Sequence, residues 1–241
     1  MHDLIKHQIN CNHQDHTYKE YWSAKISKDD PLLLEAKKIG EDTHANYNPN
    51  DPSGKSRSEP NKKNNVIYGK LAELVLREIL SDEIKSRHVK ASILESKDEY
   101  GFDYDVHSDI EVIANGEPFI IEVRSSFPYR PIPEAIEYHF DILGWYTTSD
   151  KPYEKPKDFY LRVLFPFGKA KQSENLQNGF VLYFVGGATS ELLNSSKGGW
   201  NNFKQPGARY RTIKPICKGY DARQILDEMF PNAKPEDFAG T

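Results

Sequence analysis

Sulfur is scarce in this chain: two cysteines and two methionines in 241 residues. Cys11 and Cys217 cannot frame a disulfide-stapled fold, so the protein must be held by a packed core. No apolar run approaches the roughly 18 residues of a membrane span. The opening MHDLIKHQINCNHQ places no apolar stretch behind its charges, which is not the form of a secretion signal. A cytoplasmic protein with no membrane partner is therefore the expectation. A strong excess of either charge is also missing. The net charge is −4 and the sequence pI near 6.1. That excludes a general polycationic coat for nucleic acid, though not a local basic surface.

What is present is ordinary for a globular domain, 37% hydrophobic and 28% charged. The length suffices for one large domain, or for a domain with an extension. Residues 1–19 are polar, rich in His and Asn, and read as weakly structured. A helix is predicted over 31–44, opened by Pro31 and carrying Leu32, Leu33 and Leu34. The stretch NPNDPSGKSRSEPNKKNN at 48–65 has almost nothing to bury and reads as a flexible linker. These features predict an N-terminal extension over 1–65 and a main domain over 66–241.

In the main domain, 66–80 has the periodicity of an amphipathic helix, with Leu71, Val75, Leu76 and Ile79. Strands are predicted at 88–95, 104–113 and 118–125, the last two joined by an Asn115-Gly116 hairpin turn. FPYRPIPEA at 127–135 has too many prolines to continue a central strand. Further strands are predicted at 158–165 and 179–185, and a last helix at 221–230. The order implies an α/β (α+β) fold with a central mixed sheet flanked by helices.

Within the strand FIIEVRSS at 119–126, Glu122 and Arg124 share a face by the period of two, while Ile121 and Val123 point to the other. Charge in so apolar a strand is costly unless it is paired, ligated or at a mouth. Upstream lie Lys70 and Glu73 in YGKLAE and the acids of GFDYDVHSD at 101–109. One helix acid and two strand acids form a hard-oxygen donor set suited to Mg²⁺. A metal there supplies a nucleophilic water and offsets charge on a phosphate, the chemistry of phosphodiester hydrolysis.

Gly69 and Glu73 in YGKLAE, Asp105 in FDYDV, and Glu122, Val123 and Arg124 in FIIEVR resemble, in that order, the PD-(D/E)xK nuclease superfamily, the restriction-endonuclease-like fold. The resemblance covers about residues 66–126. It implies Asp105 and Glu122 as ligands of Mg²⁺ (with Mn²⁺ able to substitute), helped by the Val123 carbonyl, with Glu73 on the helix facing the same site. It implies a DNA endonuclease, in restriction or another defence against foreign DNA, and a homodimer would suit cutting two strands. Arg124 stands where the family has lysine. Arginine stays protonated and can stabilise phosphate charge, but it is a poor proton acceptor. Lys70, three residues before Glu73 on the same helical face, is the substitute considered.

The hairpin raises a difficulty for Asp105. Centred on Asn115-Gly116, it sets Asp109 opposite Glu122 and leaves Asp105 roughly 13 Å further along at about 3.3 Å per residue. Either a bulge closes that gap or Asp109 is the partner. Asp103, Asp105 and Asp109 share parity, so alternation does not choose among them. Simpler readings stand beside these. Glu122 and Arg124 could be charges on a solvated edge strand, and Glu73 an exposed helix residue. His2, His7, Cys11, His13 and His16 could ligate zinc, but the paired spacings of zinc sites are missing. His107 could contact phosphate or be an ordinary sheet histidine. Trp145, Tyr146, Tyr160, Trp200 and Tyr210 could stack bases or fill a core. The segment 197–214 interleaves Lys197, Lys204, Arg209, Arg211 and Lys214 with aromatics, as a nucleic-acid contact or as a solvated loop. The rival functions are a noncatalytic nucleic-acid-binding module of the same fold and an unrelated α/β interaction protein.

Overall fold

The computed structural model describes residues 2–12, 17–43, 58–94, 109–147, 155–202 and 208–231. Seven strands make a central mixed sheet: β1 (Leu4–Cys11), β2 (Thr17–Ile26), β3 (Ala91–Leu94), β4 (Ile110–Ala114), β5 (Glu117–Ser126), β7 (Phe159–Leu164) and β8 (Phe180–Thr189). Their order across the sheet is β1-β2-β8-β7-β5-β4-β3. Only β5 and β7 run parallel; every other neighbouring pair is antiparallel. A second sheet joins β6 (Ile142–Thr147), β9 (Gly198–Asn202) and β10 (Arg209–Ile213) in the order β6-β10-β9. The mixed α/β architecture with helices flanking a central sheet is the one that the sequence pattern predicts.

The two faces of the central sheet are covered differently. On one lie α1 (Pro31–Thr43), α2 (Glu59–Ser86) and α4 (Ala222–Met229). Leu71, Val75 and Leu76 of α2 join Ile110, Ile121, Leu161, Val163 and Phe184 in one buried cluster. Tyr68 sits at its end among Phe127, Phe165 and Phe180, with ring centroids 4.8–5.3 Å away. On the other face, Tyr160, Leu164, Val185 and Ala188 pack with Ile142, Trp145 and Ile213 of the second sheet. They also meet Ile132 of α3 (Ile132–Glu134) and Ile136 of the π-turn that follows it. Successive residues of β7 therefore alternate between two cores, as a strand buried on both sides must.

Asn115 and Gly116 form the β4–β5 turn with φ of 52° and 88°, the left-handed pair that a two-residue hairpin demands. The register is the predicted one, Ile110 facing Ile121 and Ala114 facing Glu117. A second backbone device lies between β7 and β8. The register shifts between Leu161 and Val163, so that Val185 and Gly186 together oppose Arg162. Gly186 has φ of 98°, and a Cβ there would collide with the Tyr220 carbonyl. This bulge lets Phe184 face the helices and Ala188, four residues on, face the other core.

Three segments differ from the sequence reading. Within residues 1–19, read as weakly structured, Leu4–Cys11 form β1 and Thr17 opens β2 (Thr17–Ile26), two strands of the central sheet. Ile9 and Cys11 alternate with polar neighbours in β1, and β2 buries Trp22, Ala24 and Ile26. The polar side chains of β1 obscured that period. The helix predicted to begin at 66 begins at Glu59, because Pro60 is tolerated in a first turn and its polar turns find tertiary partners. Lys63 Nζ lies 2.9 Å from Glu41 of α1, and Asn64 donates to the Ser173 hydroxyl at 3.0 Å. The basic segment 197–214 is an antiparallel β9–β10 pair in its described part, not a loop. Among the described residues no helix is long and apolar enough to cross a membrane.

Candidate active site

α2 lays Lys70, Glu73 and Arg77 along one side, three and four residues apart. Lys70 Nζ is 3.0 Å from each carboxylate oxygen of Glu73. Arg77 Nε is 3.4 Å from Glu73 Oε1, and its Nη2 donates to the Leu94 carbonyl at 3.1 Å. Glu73 is buried, 7% exposed, and its charge is held between two cations. The simpler reading of Glu73 as an exposed helix residue does not describe it.

Asp109 stands immediately before β4, where the register puts it opposite Glu122. Its Oδ2 accepts a hydrogen bond from the Val123 amide at 2.6 Å. Burial, and next the charge of Glu73, push its carboxyl up to about 6; the Val123 amide, Arg124 and Lys70 act in the opposite direction. Asp109 thus lies within the electrostatic reach of the α2 pair and of β5 at once. A strand residue directs its N–H and C=O to the same edge, so the Val123 carbonyl faces this side too. Asp103, Asp105 and His107 lie outside the described residues.

On β5, Glu122 and Arg124 share a face, as the alternation predicts, and pair at 3.0 Å (Glu122 Oε1 to Arg124 Nη2). Ile121 and Val123 face the helices. The Arg124 guanidinium lies 5.8 Å from the centroid of the Tyr146 ring, a cation–π arrangement with the second sheet. Glu122 and Arg124 belong to β5, an interior strand of the sheet, and are in register with Tyr160 and Arg162 of β7, while the pairing with β4 ends at Ile121. The alternative of an edge strand does not apply to them.

Two buried charges on this face were not singled out from the sequence. Arg162 of β7 is in parallel register with Arg124 and 2% exposed. Burial pushes its guanidinium down to about 10, with Asp141 raising and Arg124 lowering it. Asp141, ahead of β6, is also buried, and that burial raises its carboxyl above the ordinary range. The signal for Arg162 was in DFYLRVLF, a lone cation inside an apolar strand, the same kind of signal that marked Arg124. Nothing local distinguishes Asp141.

The remaining candidates disperse. His2 is held by Glu78 at 2.6 Å and Asp30 at 2.7 Å, His7 donates to or accepts from Ser23 at 2.9 Å, and Cys11 is buried among Ile9 and Cys217. His13 and His16 lie outside the described residues. Tyr146 stacks on Tyr210 at 4.9 Å, and Tyr160 is core. Trp200 is 44% exposed beneath Arg209, whose guanidinium is 5.3 Å from its ring. Among the described residues no three His, Cys, Asp or Glu side chains are placed to hold one metal. Glu73 and Asp109 are a two-carboxylate set whose mutual repulsion a divalent cation relieves, and Mg²⁺ commonly takes only one or two protein carboxylates.

No protein-family model matches the chain, and no solved structure matches it. A protein of Methanocaldococcus jannaschii, "Uncharacterized protein MJECS01", is 32% identical across 84% of this chain and 83% of its own length. Identity at that level across most of both chains places the two in one family: the chain belongs to the family of this Methanocaldococcus protein.

Proposed function

We propose that the protein is a Mg²⁺-dependent endonuclease acting on DNA, in restriction or another defence against foreign DNA. The observation that carries this reading is the position of Asp109. It stands between Glu73 and Lys70 on α2 and Val123 and Arg124 on β5, with its carboxyl pushed up toward 6 beside a second carboxylate. A perturbed carboxyl gathered with a second acid and with cations marks a functional-site candidate. The order helix acid, strand acid, hairpin, acid-x-cation of the restriction-endonuclease-like resemblance supports the same reading.

In this reading Asp109 and Glu73 would hold the metal with the Val123 carbonyl, while Glu122, the ligand that the resemblance implies, lies on the other face of β5 paired with Arg124. Asp105 keeps its place as the aspartate that the resemblance favours. Bound there, Mg²⁺ or Mn²⁺ would supply an acidified water and offset phosphate charge. Lys70 carries three donors on a flexible stem and orients the attacking water from the Glu73 side. Arg124 offers a planar fork to a phosphate oxygen and does not take a proton. A homodimer would deliver two such sites to a duplex.

The test is cleavage of plasmid and phage DNA with Mg²⁺ or Mn²⁺, beside EDTA, Glu122→Ala and Asp109→Asn. Metal-dependent fragments that vanish in both variants support the reading; equal cleavage in Asp109→Asn returns the metal to Asp105. A noncatalytic nucleic-acid-binding module is favoured by one observation: Glu73 and Glu122 are each already paired with a cation of this chain. DNA bound but not cut under any metal would select it.

A further inference from the structure

Arg162 is a buried cation without adequate compensation. Its Nη2 donates to the Ser126 hydroxyl at 2.8 Å, while Nε and Nη1 have no partner among the described residues. Nearby Asp141 does not pair with it. That carboxylate accepts from Asn201 Nδ2 at 3.1 Å and lies 4.0 Å from Lys214 Nζ. The next in-register residue on the same face is another cation, Arg124, whose own carboxylate partner is Glu122 at 3.0 Å. Two guanidiniums on adjacent strands, one of them 2% exposed with two idle nitrogens, repel each other and cost desolvation. The β8 bulge opposite Arg162 distorts the ladder at this one residue, a device that elsewhere re-aims side chains beside functional sites.

A tetrahedral oxyanion resolves both features. Planar forks match phosphate oxygens two at a time, and one anion can accept from two arginines. We propose that Arg162 and Arg124, with the Ser126 hydroxyl fixing the deeper fork, form a binding site for a phosphate group on the face of the central sheet opposite α2. Arg162 is the floor of the site. Arg124, with a side chain 24% exposed, is its approach from solvent. The site stands whether or not the protein cuts DNA, and the group it takes is either inorganic phosphate or a phosphodiester of a nucleic-acid strand.

Thermal unfolding of the full chain in inorganic phosphate, against chloride of equal ionic strength, tests the site. Wild type is expected to gain about 3 °C in a saturable manner at phosphate well above its Kd. Arg162→Met is expected to lose that gain, and Arg162→Lys, keeping charge without the fork, to retain part of it. Absence of a phosphate-specific gain in wild type, or its persistence in Arg162→Met, overturns the proposal. Should Arg162→Met fail to fold, Arg124→Gln provides the same readout from the more exposed partner. A second arm measures anisotropy of a short labelled duplex in EDTA. Competition by inorganic phosphate, with binding about tenfold weaker in Arg162→Lys, identifies the phosphodiester as the source. Unchanged duplex binding beside a retained phosphate gain identifies free phosphate, so the site survives while the nuclease reading loses support.

Discussion

The two faces of the central sheet solve burial in opposite ways. Under α2, Ile110, Ile121, Leu161 and Val163 meet Leu71, Val75 and Leu76, and nearly everything between the layers is hydrocarbon or aromatic. Under the second sheet, the same strands β5 and β7 turn Glu122, Arg124 and Arg162 inward beside Asp141. The apolar face holds the fold; the charged face spends some of that stability to keep polar groups in fixed places. Asp109 lies at the boundary, tied to the β5 backbone and sensed by Glu73 on the helical side.

The largest effect is expected on the apolar face. Leu71→Ala leaves a cavity between α2 and the sheet and should cost about 2–5 kcal/mol, read from denaturant midpoints. A cost below about 1 kcal/mol would mean that α2 does not carry the core.

Next comes the boundary. The folded carboxyl of Asp109 is raised to about 6 from an ordinary 3.8, so the folded state binds the extra proton between those values. Stability from this group is present at low pH and is lost as pH rises through about 6. Asp109→Asn should therefore stabilise the protein by about 1–3 kcal/mol at pH 8 and have little effect near pH 4. Mg²⁺ or Mn²⁺ should raise the melting temperature of wild type and not of Asp109→Asn. Equal metal stabilisation of both proteins would remove Asp109 from it.

A smaller effect is expected where His2 bridges Asp30 and Glu78 of α2. Burial lowers its pKa, but the hydrogen bonds and charges of Glu78 and Asp30 outweigh that and leave it raised. Its stabilisation is fully present below the ordinary 6.5 and is lost as pH rises through the folded value. His2→Ala should cost about 1 kcal/mol at pH 5.5 and less at pH 8, in paired denaturation curves.

The smallest effect sharpens the comparison most. Arg162→Met in chloride exchanges an uncompensated buried cation for a side chain of similar length, and should change stability by no more than about 1 kcal/mol. Against Leu71→Ala, that near-neutrality would show that the charged face is kept for something other than stability. A loss of about 3 kcal/mol or more would make Arg162 a structural ion instead.

Much of the fold was legible locally. Asn115-Gly116 set the β4–β5 register to the residue, because the turn admits only left-handed pairs and the count follows from it. The period of 66–80 gave the heart of α2, and alternation put Glu122 and Arg124 together. The same alternation was present in β1 and passed unread, since His7, Gln8 and Asn10 dominate its composition and only its pairing with β2 gives them a use. The first seven residues of α2 carry no helical signal of their own; Glu41 and Ser173, distant in sequence, hold them.

By itself, then, the sequence determined which residues belong to helices and strands wherever a period or a turn type dictated it. It also marked Glu73, Glu122 and Arg124 as charges needing an explanation. Only the tertiary structure decided that Asp109 meets both α2 and β5, that Arg162 lies beside Arg124, and that Asp141 is buried near them. Periodicity assigns a side chain to a face, but the neighbours on that face come from strands far apart in the chain. Whether a charge there is paired or left with idle donors depends on how those strands are ordered across the sheet.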